Sequence, residues 1–250
     1  MTLLINYFSL CLISLLLIEF VDGSIVRSVG TKRSGPPEVF DFSGKLSMMD
    51  NILNALGQSS PMLVFRINNA TVVSYAKEKE LLTISYGAEP LNTLATPWQK
   101  LLCTGIAGDC RNTIRYAQTI SVNHTFEYDI PPPSKYIAIK LSDYFQEATL
   151  QGGRRCLCCN CFILDASEGS IHKISANGDL LKVFGGCIGR KASIGETALI
   201  EKLQNNEEIL SSPEKAKEIA NEVMKLMIGN NNNDIFTKDI TTIVIPDMKF

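Results

Sequence analysis

Length, composition and charge exclude several classes of protein before any motif is considered. The chain has 250 residues, of which 45% are hydrophobic and 20% are charged, and this is enough apolar material for one substantial core. The formal net charge is −2, and no run of lysine or arginine marks a surface for nucleic acid or for anionic lipid. We therefore expect a single domain without a nucleic-acid partner.

The chain begins with an apolar segment. Residues 1 to 18 contain no charged side chain, and the apolar run has the length of a signal-peptide core but is too short to span a membrane comfortably. The positive charges that usually open a signal peptide are absent, so a signal peptide and a non-functional extension remain alternatives. We predict a signal-like extension over 1 to 23, a flexible linker over 24 to 37, one domain over 38 to 245, and a short tail over 246 to 250.

From the linker onward, apolar runs and turn signals alternate in a regular order. The pair Asn68-Asn69 separates two apolar runs and predicts a β-hairpin, and Asn177-Gly178 predicts another. The predicted elements are strands at 62–67 and 71–76, an irregular segment at 80–97, a strand at 101–106, helices at 109–121 and from 134, a strand that continues from the cysteines at 156–161 into 162–164, strands at 170–174 and 180–184, helices from 193 and from 212, and a strand at 240–245.

Two of the predicted helices carry particularly clear patterns. In the helix over 109 to 121, the spacing of Cys110, Ile114, Ala117 and Ile120 predicts an apolar stripe against a sheet. At the start of the third helix, the segment 193–196 reads as a capping box, in which Ser and Glu side chains bind the first backbone amides. Because strands pair as hairpins and helices come in consecutive pairs, we predict an α+β fold of four layers (αββα): two antiparallel sheets face to face, each covered by a helix pair.

The cysteines do not form a recognisable metal site. Cys156, Cys158, Cys159 and Cys161 lie close together, but the second pair of ligands that zinc knuckles use is missing. Neighbouring thiols on one strand cannot easily form disulfides with each other, so we interpret the segment as a buried strand in a reducing compartment. The glycines of 185–191 lack the spacing of a phosphate-binding loop, so we assign them to close packing between a strand and a helix. We expect neither a metal nor another cofactor.

Several motifs resemble those of proteasome alpha-type subunits. The similar segments include Ser43-Gly44-Lys45-Leu46 before a short helix at 47–56, the run 104–111 and the triplet 187–189, and the likeness extends over about 38 to 245. The resemblance implies the Ntn-hydrolase fold and a non-catalytic subunit of the 20S core, in a heptameric outer ring that stacks on beta rings and controls substrate entry in ubiquitin-dependent protein catabolism. Its partners would be other alpha subunits, beta subunits and regulatory caps, in the cytoplasm and nucleus.

The resemblance also implies where contacts with other subunits lie. The helix over 109 to 121 is expected to face the beta ring, and the segment 38 to 60 to face neighbours and the pore. The chain differs from the family at the gate motif near 33–35, and Leu91 and Ser59 stand where the family has the lysine and glycine that hold activator tails. The predicted interface residues are Gly105, Asp109, Arg111, Ser43, Gly44 and Leu46.

Catalytic relatives of this fold use an amino-terminal threonine at the first sheet strand and a nearby lysine. Here the segment 57–61 precedes that strand without a Gly-Thr pair, and no lysine lies between Lys45 and Lys77. We place His124 in a loop and His172 in a strand, and we expect no catalytic residue. The alternative is a secreted or ER-luminal glycoprotein of this fold that has lost ring assembly, with glycans on the sequons at Asn69 and Asn123. A hydrolase of the same fold would require a processed amino terminus.

Overall fold

The structure is a computed structural model that describes residue 40 and residues 44–78, 91–150, 155–205, 212–229 and 238–248. The predicted extension, the linker, the gate region and Ser43 lie outside the described residues. Within the described ranges, no helix combines the length and the apolar character needed to span a membrane.

The helices and strands follow the predicted order, with two additional short strands. They are α1 (Ser47–Leu56), β1 (Met62–Ile67), β2 (Ala70–Glu78), β3 (Leu91–Thr93), β4 (Gln99–Gly105), α2 (Ala107–Tyr128), α3 (Ser134–Leu150), β5 (Cys159–Asp165), β6 (Ser170–Ile174), β7 (Leu180–Val183), β8 (Gly185–Ile188), α4 (Ala192–Asn205), α5 (Pro213–Ile228) and β9 (Lys238–Pro246).

The strands form two antiparallel sheets. One sheet has the order β8-β1-β2-β9 and the other the order β3-β4-β5-β6-β7. Both predicted hairpins are present, because β1 pairs with β2 and β6 pairs with β7. Helices α4 and α5 pack on the first sheet, and α2 and α3 pack on the second. The predicted α+β sandwich is therefore confirmed.

Strand alternation distributes apolar side chains between the layers, because successive residues of a strand point to opposite faces. Across β4 and β5, Leu102 pairs with Phe162, and both lie in the core between the sheets. The next pair along, Leu101 and Ile163, lies in the core beneath α2 and α3. All four side chains are fully buried, so the buried run in each strand reflects a sheet covered on both faces.

The two additional strands were not predicted, for identifiable reasons. Strand β3 lies within the segment that was expected to be irregular, and three residues are too few to show a pattern. Strand β8 begins with Gly185, where a Cβ atom would lie 2.6 Å from the Cβ of Phe65 on β1. The glycines that were assigned to strand-to-helix packing thus allow β8 to pair with β1.

Helix α2 differs from the prediction in length and in its buried face. It continues to Tyr128, so Asn123 and His124 lie on a helix and not in a loop. The residues buried along it are Asp109, Thr113, Ala117 and Ser121, whereas Cys110 and Ile114 are only partly buried. The predicted stripe is displaced because three polar residues form the centre of the buried face.

The prediction of a capping box at 193–196 is wrong, because Ser193 lies inside the helix. Helix α4 begins at Ala192, and Glu196 Oε1 accepts hydrogen bonds from Lys173 Nζ at 2.6 Å and from the backbone N of Cys187 at 3.3 Å. Lys173 belongs to β6 and Cys187 to β8. Glu196 therefore joins α4 to both sheets.

Candidate interface site

The junction between β4 and α2 is held against the segment that precedes β5. Gly105 has φ +144°, and a Cβ atom on it would lie 2.1 Å from the carbonyl oxygen of Cys158. The next residue, Ile106, donates its backbone N–H to that same oxygen at 2.9 Å. Only glycine allows this close approach of two backbones, so Gly105 fixes where α2 begins.

Asp109, in the first turn of α2, binds the same segment through its side chain. Arg155 Nη1 and Nη2 each donate to one carboxylate oxygen at 2.7 Å, and the backbone N–H of Cys158 donates to Oδ2 at 2.8 Å. Asp109 is only 4% exposed, while the Arg155 side chain is 54% exposed. The pair therefore presents its cationic half to solvent.

The charge state of Asp109 follows from these contacts. Burial alone would raise its pKa, but the hydrogen bonds from Arg155 and from the Cys158 backbone outweigh burial and hold the pKa below its ordinary value. The same pairing raises the pKa of Arg155. The carboxylate also lies at the amino end of a helix, where the helix dipole favours a negative charge. Asp109 is therefore ionised at neutral pH.

Helix α1 packs on the other side of this segment. Its buried residues Ile52 and Leu56 lie in one apolar cluster with Cys156, Cys158 and Ala176. The segment at 155–158 thus contacts α2 through polar groups and α1 through apolar ones. Helices α1 and α2, which were both predicted to face other subunits, therefore pack against the same segment.

The predicted interface residues occupy different parts of this site. Gly105 and Asp109 meet at the Cys158 backbone, while Arg111 is exposed and donates through Nε to the carbonyl oxygen of Ala107 at 3.2 Å. Gly44, which is exposed and has φ +74°, and Leu46, which occupies the N-cap position of α1, lie at the start of α1. Their role as subunit contacts stays a prediction.

Arg155 is the residue of this site that the sequence analysis missed. It ends a Gly-Gly-Arg-Arg run before the cysteine segment. A basic side chain at the entry of one buried strand, opposite an acidic residue at the exit of the neighbouring strand, is the signal that was available. Because β4 and β5 are antiparallel, the end of β4 lies beside the start of β5.

Helix α2 also presents an outer stripe, defined here as Arg111, Arg115, Val122 and Phe126. These residues are all exposed, and their spacing places them on the face opposite the buried one. Val122 is 60% exposed and Phe126 is 92% exposed. Two large apolar side chains in line with two arginines are typical of a surface that another protein covers.

The start of β1 is enclosed within the chain. Thr104 Oγ1, on β4, donates to the backbone oxygen of Ser60 at 2.7 Å and to Ser59 Oγ at 3.1 Å. The backbone oxygen of Ser59 accepts a hydrogen bond from Arg190 at 3.0 Å. The polypeptide therefore runs continuously from α1 into β1 and is held from two sides. Leu91 lies partly buried in β3.

Both sequons lie at exposed positions of the structure. Asn69 is exposed at the hairpin turn between β1 and β2, and Asn123 is exposed on α2. Across the ranges that the structure describes, no group of three or more histidine, cysteine or acidic residues is arranged to hold a metal ion.

Comparisons with known proteins cover this same region. A family model described as proteasome subunit matches residues 100–245. The chain is 25% identical over 199 residues to the probable proteasome subunit alpha type-2 of Neurospora crassa, with 78% of each chain covered. It is 27% identical over 174 residues to proteasome subunit alpha type-2 of Saccharomyces cerevisiae, with 67% of this chain and 68% of the relative covered. The match to the family model includes α2 and the Asp109–Arg155 pair.

Proposed function

The chain belongs to the proteasome subunit family as an alpha-type member, and from this premise we propose that it is a non-catalytic subunit of the outer ring of the 20S core. In this role it binds neighbouring alpha subunits laterally and a beta ring through α2, and it forms part of the passage for substrates in protein degradation. We assign it to the cytoplasm and nucleus. The observation that carries the proposal is the outer stripe of α2, on the helix that the family resemblance directs toward the beta ring.

The outer stripe supports a stable interface with another subunit, because its two apolar side chains, Val122 and Phe126, are exposed to water. Phe126 is almost fully exposed and Val122 lies one turn before it, so covering both side chains would be favourable by about 1.5–3 kcal/mol each. Arg111 and Arg115 extend the stripe toward the start of the helix, where they suit an acidic or polar rim on the partner. The Asp109–Arg155 pair fixes the orientation of this helix start.

The absence of catalysis is supported by the chain path at β1. An amino-terminal nucleophile needs a free amine at the start of the first strand, whereas here Ser59 and Ser60 are internal residues with hydrogen bonds to Thr104 and Arg190. Cleavage before either serine would cut the connection between α1 and β1. We propose that the chain reaches its working state without this cleavage.

Assembly is tested by expressing a tagged full-length chain in its own cells and fractionating the native extract by size. We expect the chain to migrate with a large complex whose other subunits, identified by mass spectrometry, are alpha and beta proteasome subunits. Phe126→Asp should shift the chain to smaller species, because it would place a charge in a desolvated contact. Leu226→Asp is the matched control: Leu226 is 51% exposed on α5, in the helix layer of the other sheet.

Three results of the same preparation would contradict the proposal. A monomeric wild-type chain would exclude ring assembly. A mature terminus at Thr, Ser or Cys, together with peptide cleavage by the isolated chain, would indicate a hydrolase. Loss of mass on treatment with a glycosidase that acts at Asn69 or Asn123, without co-migrating subunits, would indicate the secreted alternative.

A further inference from the structure

Four thiols lie close together where the start of α2 packs on β4 and β5. Cys103 on β4 and Cys161 on β5 are direct partners across the two strands, and Cys159 occupies the same face of β5 two residues earlier. Cys110, in the first turns of α2, lies above them and is only partly buried. All four are free cysteines.

Within this group, Cys110 and Cys159 form a pair that links a helix to a strand. The Sγ atoms of Cys110 and Cys159 are 3.5 Å apart, with the Cys110 thiol as donor, and they belong to two different elements, α2 and β5. Cys156 and Cys158 lie instead in the cluster beneath α1. Cys110 is the thiol of the pair that solvent reaches, whereas Cys159 is fully buried.

We propose that Cys110 and Cys159 are an oxidation site: a hydroperoxide converts the two thiols into a disulfide that joins α2 to β5, and cellular thiols reverse the reaction. The proposal rests on the geometry of the two sulfur atoms in this chain. It does not depend on ring assembly.

The surroundings of the pair favour a negative charge on Cys159. Hydrogen bonds from the Cys103 thiol, first, and the Cys110 thiol, second, hold the pKa of Cys159 below its ordinary value, although burial acts in the opposite direction. Thr113, one turn along α2, contributes to the same lowering of the Cys159 pKa through its side-chain hydroxyl. The hydrogen bond to Cys159, followed by burial, raises the pKa of Cys110.

The reaction then proceeds in two balanced steps. Cys110 passes its proton to the Cys159 thiolate, and the Cys110 sulfur attacks the terminal peroxide oxygen. The O–O bond breaks, the departing alkoxide, or hydroxide from hydrogen peroxide, takes a proton from solvent water, and a sulfenic acid remains on Cys110. The Cys159 sulfur next attacks the Cys110 sulfur, the S–O bond breaks, and the departing hydroxide takes the Cys159 proton as water. The two thiols lose two electrons and the peroxide gains them. Because the first proton transfer is uphill, we expect a slow reaction.

The test uses the purified full-length chain treated with hydrogen peroxide, blocked with N-ethylmaleimide and digested with trypsin and Asp-N without reduction. Cleavage before Asp109 separates Cys110 from Cys103, and the expected product is the peptide 109–111 linked to the peptide 156–164. Dithiothreitol should release it. Absence of this product, with Cys110 converted to sulfinic acid or linked to a second chain, would overturn the proposal.

Two variants identify the partner of Cys110 on β5. Cys159→Ser should lose the linked peptide, whereas Cys161→Ser, a matched change at a fully buried position on the same face of the strand, should retain it. The opposite pattern would show that Cys161 is the partner and would reject the assignment. If Cys159→Ser does not fold, as judged by circular dichroism, fragmentation of the linked peptide from the wild-type chain gives a second test: fragments that place the bond on Cys159 support the assignment, and fragments that place it on another cysteine of 156–164 reject it.

Discussion

At the scale of single residues, Asp109 has a structural task that its position in the sequence only partly reveals. An acidic residue in the first turn of a helix suggests a favourable interaction with the helix dipole. In the structure, this carboxylate is buried and accepts three hydrogen bonds from the segment before β5. Its main effect is therefore to attach α2 to a neighbouring strand, and Arg155 carries the resulting polar surface.

We predict that Asp109→Asn lowers the free energy of unfolding by about 1–2 kcal/mol at pH 7, at the low end for charge-assisted hydrogen bonds because exposed Arg155 can be rehydrated. Asn retains an oxygen for the Cys158 N–H but loses the charge. Urea denaturation measures the change. Asp143→Asn, at an exposed position on α3, is the control and should change stability little; equal effects of the two substitutions would contradict the role of the pair.

The sign of the pH dependence follows from the lowered pKa of Asp109. The folded chain holds this carboxylate ionised more strongly than the unfolded chain does, so the stabilisation is present above the unfolded pKa of about 3.9 and is lost as the pH falls through the folded pKa. The difference in stability between the wild type and Asp109→Asn should therefore shrink below about pH 4.

At the scale of elements, the junction from β4 to α2 depends on one backbone conformation. Gly105 combines φ +144° with a backbone neighbour at 2.1 Å from the position of a Cβ atom. Gly108, three residues later within the helix, would place a Cβ atom with nothing within 4 Å among the described residues. A side chain is therefore sterically excluded at Gly105 and has room at Gly108.

We predict that Gly105→Ala destabilises the chain by about 2–4 kcal/mol, because both the backbone angle and the Cys158 contact must change. Gly108→Ala should instead be neutral or stabilising by up to about 1 kcal/mol, since alanine favours a helix. Thermal unfolding of both variants checks the contrast. Similar melting temperatures for the two would show that the junction can relax.

The elements also show which parts of the fold are encoded locally. The Asn-Asn and Asn-Gly pairs predicted both hairpins correctly, because turn conformation depends on adjacent residues. Glu196 could not be interpreted in this way, since its partners Lys173 and Cys187 come from two different strands. The Asp109–Arg155 pair joins residues 46 positions apart, and only the pairing of β4 with β5 brings them together.

At the scale of the whole molecule, a polar clasp joins the two sheets at the carboxyl end. Arg66 on β1 donates to Asp247 Oδ2 at 2.7 Å, and a Cβ atom on Gly169, in the turn between β5 and β6, would lie 1.6 Å from Arg66 Nη1. The backbone N of Met248 donates to the carbonyl oxygen of Ala166 at 3.0 Å. The tail after β9 thus contacts the turn between β5 and β6 of the other sheet.

We predict that Asp247→Asn lowers the free energy of unfolding by about 1–3 kcal/mol, because it leaves the largely buried Arg66 guanidinium with a weaker partner. Denaturation by urea, with Asp143→Asn again as the control, measures the loss. A variant as stable as the wild type would show that the Arg66–Asp247 pair adds no measurable stability.

The pairing of β9 with β2 has a consequence for synthesis. The register joins Glu78 to Lys238 and Ala70 to Pro246, so β2 is synthesised long before the strand that completes its pairing. While the ribosome is still adding residues, the nascent chain can close the sheet of β3 to β7, but β2 keeps an open hydrogen-bonding edge. We therefore expect the β2 edge to be the place where an incomplete chain associates with other strands until β9 has been synthesised.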